Sequence, residues 1–195
     1  MCNEYEFETH WEEYERIMAR EALELAAAKR SDADLYRGPS IRIGDQALVV
    51  RSAGNGVELA PMTFGFPPPR KGAAPVFNFK SERRHFGDSN RCLIPASAFF
   101  EFTGSASPKT RHRFFMAGEP CFAIAGLWRD SEGGPAFAML TTEPGPDVAP
   151  IHDRQIVILQ PHQWAAWLYL TKPEAELLRP LPAGTLKTVV QARAN

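Results

Sequence analysis

The chain has 195 residues, of which 44% are apolar and 23% charged, enough for one substantial globular domain with its own core. No apolar run approaches the roughly 20 residues that span a bilayer, so no membrane association is expected. The formal net charge of −1 removes any global electrostatic case for nucleic acid, and three cysteines without metal-type spacing argue against a disulfide framework or a zinc site. No metal or other cofactor is therefore expected, and a reducing cytoplasm is the natural compartment.

In chain order, Thr9-His10-Trp11-Glu12 reads as a capping box. It opens a helix whose apolar stripe, Trp11, Tyr14, Ile17, Met18 and Leu25, runs to about Lys29. Ser31, Asp32 and Asp34 break that pattern, and Gly38-Pro39 closes a loop. From there the character is β. Ile41 to Ile43 and Ala47 to Val50 flank a tight turn at Gly44-Asp45, and Gly54-Asn55-Gly56 turns into Val57 to Leu59. Met62 to Phe66 ends in Pro67-Pro68-Pro69, which cannot join a central strand and predicts an exposed loop with Arg70-Lys71-Gly72.

Further strands are predicted over Arg91 to Pro95, Ala98 to Phe102, Arg113 to Met116, Phe122 to Trp128, Ala136 to Thr142, Ile156 to Leu159 and Leu186 to Val190. Pro161 to Leu168 and Pro173 to Leu178 read as short helices with proline in the first turn. The pattern predicts an α+β fold, mainly β: a curved or barrel-like antiparallel sheet with peripheral helices. With no internal repeat and no long linker, residues 1–195 should form one domain, and a monomer is the simplest expectation.

Charge is distributed unevenly. Glutamate dominates residues 4–24, whereas 70–91 hold Arg70, Lys71, Lys80, Arg83, Arg84 and Arg91 against Glu82 and Asp88. A second basic group follows at Lys109, Arg111 and Arg113. Such runs are commonly solvated faces, and they are also where a nucleic-acid strand would lie.

Four features carry potential chemistry. Removal of Met1 would leave Cys2 as the amino terminus, with a free α-amine and a thiol on adjacent carbons. This 1,2-aminothiol condenses with an aldehyde to an imine, and the sulfur then closes a five-membered thiazolidine. The ordinary pKa values, about 7.7–8.0 for the amine and about 8.5 for the thiol, make both groups usable near neutrality. Glu101 is a lone carboxylate among Phe99, Phe100 and Phe102. In an extended segment it shares a face with Phe99, and apolar surroundings would raise its pKa toward that of a general acid or base. The alternative is a carboxylate on the wet face of a half-buried strand. His152, in Ile151-His152-Asp153-Arg154, could shuttle protons near neutral pH or be an ordinary surface histidine. Asn78 opens Asn78-Phe79-Lys80-Ser81-Glu82 and could orient a substrate or cap a turn.

Taken together, these segments resemble the SRAP (SOS-response-associated peptidase) family. The resemblance begins at Met1-Cys2. It runs through Met62-Thr63-Phe64-Gly65-Phe66, Asn78 to Glu82, Arg91-Cys92-Leu93-Ile94-Pro95-Ala96 and Phe99-Phe100-Glu101-Phe102. It continues through Phe122 to Trp128 and from Thr141-Thr142 to Ile151 through Leu159.

The resemblance implies an enzyme that shields abasic sites in single-stranded DNA. Cys2 would attack the ring-opened sugar aldehyde, and Glu101 would handle protons at the sugar. His152 would steady charge or move a proton during imine formation, and Asn78 would position the amine or the sugar. It also implies that Lys80 holds a phosphate as a point charge, that Arg83, Arg84 and Thr141 contact the backbone, and that Phe64 stacks on or wedges a base. Self-cleavage to expose the cysteine, and lyase-like activity, come with the same resemblance, as does association with the nucleoid when DNA is bound.

The chain departs from the family pattern in places. Asn3-Glu4-Tyr5 stands where many relatives have Gly-Arg-Phe, so Glu4 and Glu6 would repel phosphate if they faced it. Phe64 and Phe102 stand in place of tryptophans. Two other readings use the same residues: a hydrolase with Cys2 as nucleophile and His152 as base, and a non-catalytic single-strand-binding module.

Overall fold

The structure is a computed structural model, and it describes residues 2–25, 30–54, 56–105 and 107–191. Among the described residues, thirteen strands form two sheets. The first, five-stranded, contains β1 (Glu4–Phe7), β2 (Gly38–Arg42), β7 (Ala98–Thr103), β8 (Thr110–Met116) and β13 (Leu186–Gln191), in the order β13-β8-β7-β1-β2. The second is built on β3 (Gln46–Ala53), β4 (Gly56–Phe64), β6 (Arg91–Ala96), β9 (Phe122–Arg129) and β10 (Ala136–Thr142). Its order β10-β4-β3-β6-β9 closes on itself, because β9 also pairs with β10. Closure abolishes edges along these strands, as expected for a barrel. Three short strands, β5 (Asn78–Lys80), β11 (Gln155–Ile156) and β12 (Ile158–Leu159), attach to its margins.

The curled, mainly β architecture follows the expectation, with one difference: β10 runs parallel to β4 and β5. Inside, Phe64 stacks on Phe137 at 5.2 Å and Phe99 on Phe114 at 5.0 Å. Strands β6, β9 and β10 are buried on nearly every residue, which is why they read as continuous apolar runs rather than as alternation.

The helices are shorter than the sequence suggests. The first, α1 (Trp11–Arg20), buries Trp11, Tyr14 and Met18, and Tyr14 stacks on Trp164 at 4.9 Å. It stops at Arg20, and Leu25 instead bridges Val57; Ala26 to Lys29 of the expected stripe lie outside the described residues. The capping box does not form. His10 is the N-cap without a side-chain cap, and the Thr9 hydroxyl donates to the Pro120 carbonyl at 2.7 Å. Residues 30–36, expected as a loop, form a 3-10 helix. Near the C-terminus, a 3-10 turn (Pro161–Gln163) leads into α2 (Trp164–Tyr169), and α3 (Glu174–Leu177) follows. Among the described residues no helix is long and apolar enough to cross a membrane.

One close approach constrains the barrel wall. Gly126 on β9 lies opposite Cys92 on β6, and a Cβ there would sit 2.7 Å from Ile94 Cδ1 and 2.9 Å from Cys92 Sγ. Both neighbours are fully buried and have little room to move. Gly126→Ala should therefore destabilise the protein by about 1–3 kcal/mol. Thermal unfolding should show a melting temperature lower by roughly 3–10 °C, whereas an unchanged value would mean the wall yields freely.

Candidate active site

The N-terminal segment is placed by charge as well as by hydrogen bonds. Strand β1 lies between β2 and β7 and is buried at all four residues. Alternation sends Tyr5 and Phe7 to one face and Glu4 and Glu6 to the other. Glu4 accepts hydrogen bonds from the Ser40 hydroxyl and the Arg111 guanidinium, both at 2.7 Å. Glu6 accepts from Arg113 at 2.6 and 2.9 Å and from Ser97 at 2.8 Å. Burial alone would raise the Glu4 pKa, but Ser40 and Arg111 outweigh it and hold the carboxyl below its ordinary value. Arg111 also lies over the Phe100 ring at 3.3 Å.

Glu4 and Glu6 are buried beneath Arg111 and Arg113, so neither presents a bare carboxylate on the surface. Arg111 and Arg113 of the second basic group are half-buried and engaged by these two carboxylates.

Cys2 immediately precedes this strand and is 1% exposed. Its Sγ donates to the Glu4 carbonyl at 3.2 Å, and its own carbonyl accepts from Asn78 Nδ2 at 2.9 Å. Asn78 is delivered by β5, paired with Met139 of β10. The Asn78 Oδ1 atom is buried and has no hydrogen-bond partner among the described residues. Burial pushes the Cys2 thiol well up, and the neighbouring Glu101 carboxylate adds to the shift.

Glu101 is 2% exposed on β7, on the same face as Phe99, and burial raises its pKa to about 7. His152 brings Nε2 to 3.5 Å from Glu101 Oε2. Its Nδ1 lies 3.0 Å from both the backbone nitrogen and the carbonyl oxygen of Arg154 and 3.1 Å from Asp153 Oδ1, so these two residues hold the ring from its far side. Burial lowers the His152 pKa, so the neutral ring dominates at pH 7. Cys2, Asn78, Glu101 and His152, distant in sequence, thus meet at one place.

The residues expected to touch a strand divide differently. Lys80 is exposed at the end of β5, and Arg83 and Arg84 are exposed in the loop after it. Thr141 is buried opposite Lys80, where its hydroxyl accepts from Arg154 Nη2 at 3.1 Å. Phe64 is completely buried, packed on Phe137 and edge-on to Tyr5 and Phe77. It is a core residue in this conformation, and its ring has no free face for a base. Arg154, given no role from sequence, clamps Glu82 through both guanidinium nitrogens and organises His152 through its backbone. The one sequence signal for it was its place in the Ile151-His152-Asp153-Arg154 run.

A closed barrel with a side sheet and this cysteine–asparagine–glutamate–histidine cluster define the class. The model of the family described as SOS response associated peptidase (SRAP) matches residues 1–193, and the chain belongs to that family. A curated relative, abasic site processing protein YoqW of Bacillus subtilis (strain 168), is 35% identical over 100 residues, 48% of this chain and 44% of that protein. Another, abasic site processing protein YoaM of the same organism, is 36% identical over 86 residues, 41% of this chain and 38% of that protein. The matched stretch thus spans less than half of each relative.

Solved structures share the fold. A phage-related protein from Bordetella bronchiseptica has a TM-score of 0.73 at 20% identity, covering 98% of this chain and 95% of its own. A second protein from that organism has a TM-score of 0.70 at 22% identity, covering 98% and 100%.

The raised pKa of Glu101 has a consequence for stability. The folded state holds this proton up to about pH 7, while an unfolded glutamate releases it near its ordinary value of 4.5. The contribution is therefore fully present below about pH 4.5 and is lost as pH rises through about 7. Glu101→Gln should be more stable than the parent at pH 8.5, by roughly 1–3 kcal/mol, with the gap closing toward pH 5. Denaturant titrations at the two pH values test this, and a pH-independent difference would contradict the raised pKa.

Proposed function

We propose that this protein processes abasic sites in single-stranded DNA by forming a covalent thiazolidine between Cys2, once Met1 is removed, and the opened sugar. The observation that carries the reading is the position of the Cys2 backbone, hydrogen-bonded to Asn78 and beside a buried carboxyl that titrates near neutrality. The names of the curated relatives point to the same substrate.

The chemistry divides into steps that these residues suit. The α-amine lone pair adds to the C1′ aldehyde carbon and gives a carbinolamine. The vacant Asn78 Oδ1 is an acceptor for an amine N–H and would aim the lone pair at the carbonyl. Protonated Glu101 delivers a proton to the departing hydroxyl, water leaves, and the imine forms. The nitrogen keeps its own proton, so the imine is an iminium; the Cys2 sulfur adds to its carbon while the thiol proton passes to the Glu101 carboxylate and restores the acid. The balance is aldehyde plus aminothiol giving thiazolidine plus one water. A group with a pKa of about 7 serves both as acid in the first half and as base in the second. His152, with Nε2 3.5 Å from Glu101 Oε2, would hold the carboxylate in place while it is charged.

Burial of the thiol favours this reading over a cysteine hydrolase. A hydrolytic nucleophile needs a depressed thiol pKa, and here burial pushes it up. In ring closure the sulfur attacks an activated imine from an adjoining atom, so high effective concentration replaces a preformed thiolate. Lys80, exposed at the end of β5, would take the phosphate next to the lesion.

Purified, Met1-trimmed protein mixed with a single-stranded oligonucleotide bearing one abasic site should give a heat-stable adduct on denaturing gels. Cys2→Ala should give none. Glu101→Gln should slow formation about 10²–10⁴-fold, the usual contribution of a positioned acid or base. A stable adduct that survives Cys2→Ala would overturn the thiazolidine.

A further inference from the structure

The loop after β5 and the short helix α3 enclose a cleft of about 580 Å³, within the roughly 300–1,000 Å³ usual for sites that take a small organic group. Arg83, Arg84 and Ser81 line one side, and Pro173, Ala175 and Leu178 line the other. We infer that this cleft is a second subsite for the strand: it holds the nucleotide flanking the lesion, with its phosphate on Arg83, Arg84 and the Ser81 hydroxyl and its apolar surface on the α3 wall. The inference rests on the proposed reading of the Cys2 site and extends it along the strand.

The charges in the cleft favour an anion. Its two carboxylates are already engaged. Glu82 is held by both terminal nitrogens of Arg154, at 2.5 and 2.9 Å, and Glu174 accepts from the Phe86 backbone N–H and contacts His85 Nδ1 at 3.0 Å. Arg83 and Arg84 form no ion pair with the described residues. Arg84 is exposed and holds its guanidinium carbon 5.8 Å from the centre of the Phe79 ring.

A polar group in the cleft lacks a partner. Ser81 is 6% exposed, and its Oγ is buried with no hydrogen-bond partner among the described residues. A buried hydroxyl in that condition is costly unless something supplies the bond, and a phosphate oxygen would do so.

Placement fits a neighbouring nucleotide and not the abasic residue itself. Ser81 follows Asn78 by three residues along an extended chain, so it lies roughly 10 Å from the Asn78 backbone at ~3.3 Å per residue. The same β5 segment would thus touch the lesion at Asn78, the adjoining backbone at Lys80, and the next nucleotide at the cleft.

The test measures fluorescence anisotropy of a labelled, lesion-free single strand with three proteins: the parent, Arg83→Ala/Arg84→Ala, and Ala175→Trp. Ala175 is exposed, so tryptophan should be tolerated there; it fills the cleft without changing charge. Both variants should bind about tenfold more weakly, the loss of one base and phosphate contact, and only the arginine variant should show a shallower salt dependence. Parent-like affinity for Ala175→Trp would overturn the inference, since the arginines would then act as diffuse surface charge over an empty cleft. Competition by a free deoxynucleoside 5′-monophosphate at micromolar concentration would also overturn it, making the cleft a mononucleotide site. Adduct formation by the parent on a lesion-bearing strand is scored separately: its failure sinks the lesion chemistry, while the anisotropy still decides the cleft.

Discussion

The placement of the N-terminal cysteine depends on an internal charge ladder. Strand β1 has only four residues; it pairs with β7 at two positions, Tyr5 with Phe99 and Glu6 with Ala98, and with β2 at three, across a shift of register between Tyr5 and Phe7. So short a contact specifies register weakly by backbone hydrogen bonds alone. Two buried glutamates reach across β7 to Arg111 and Arg113 on β8, and a one-residue slip would turn both into apolar surroundings. Buried ion pairs add little net stability against apolar replacements, but losing one partner leaves an uncompensated charge. The ladder therefore acts mainly as a selector of register. In selecting it, β1 sets where the chain begins and brings Cys2 against Asn78 and Glu101.

The second constraint is desolvation. The site buries a thiol and a carboxylate together; burial raises both pKa values, and the Glu101 carboxylate raises that of the Cys2 thiol further. At neutral pH the thiol stays protonated and the carboxyl is about half protonated, so an acid, a base and a masked nucleophile coexist without large net charge. This suits imine chemistry, in which a proton must be given and then taken back within one site. The Arg154 hub supports it from behind. One side chain neutralises Glu82 and steadies Thr141, and the same residue's backbone lies 3.0 Å from His152 Nδ1.

Much of this was legible in the sequence, and the gaps have physical causes. The barrel strands announced themselves as short apolar runs between turns, and Glu101 stood out as a carboxylate in a phenylalanine run. Strand β1 was not foreseen. Glu4-Tyr5-Glu6-Phe7 does alternate, but its glutamates suggested a wet face, and only the matching Arg111 and Arg113 two residues apart could have signalled that the charged side is buried. Helix α1 was overextended because Leu25 continues the helical spacing yet is captured by a bridge to Val57. The family segment alone suggests a base for Phe64, because its stacking partner Phe137 lies far along the chain. The Ser81 to Leu178 cleft joins segments about a hundred residues apart, and no local pattern marks such a meeting.

The most direct measurement is tandem mass spectrometry of the product formed with a lesion-bearing strand, after nuclease and protease digestion and without reductant. The account predicts that the remnant sugar sits on the peptide beginning at Cys2, with both the nitrogen and the sulfur blocked, so that iodoacetamide no longer alkylates that cysteine. A remnant on Lys80 or another lysine, or a Cys2 sulfur that still alkylates, would contradict it.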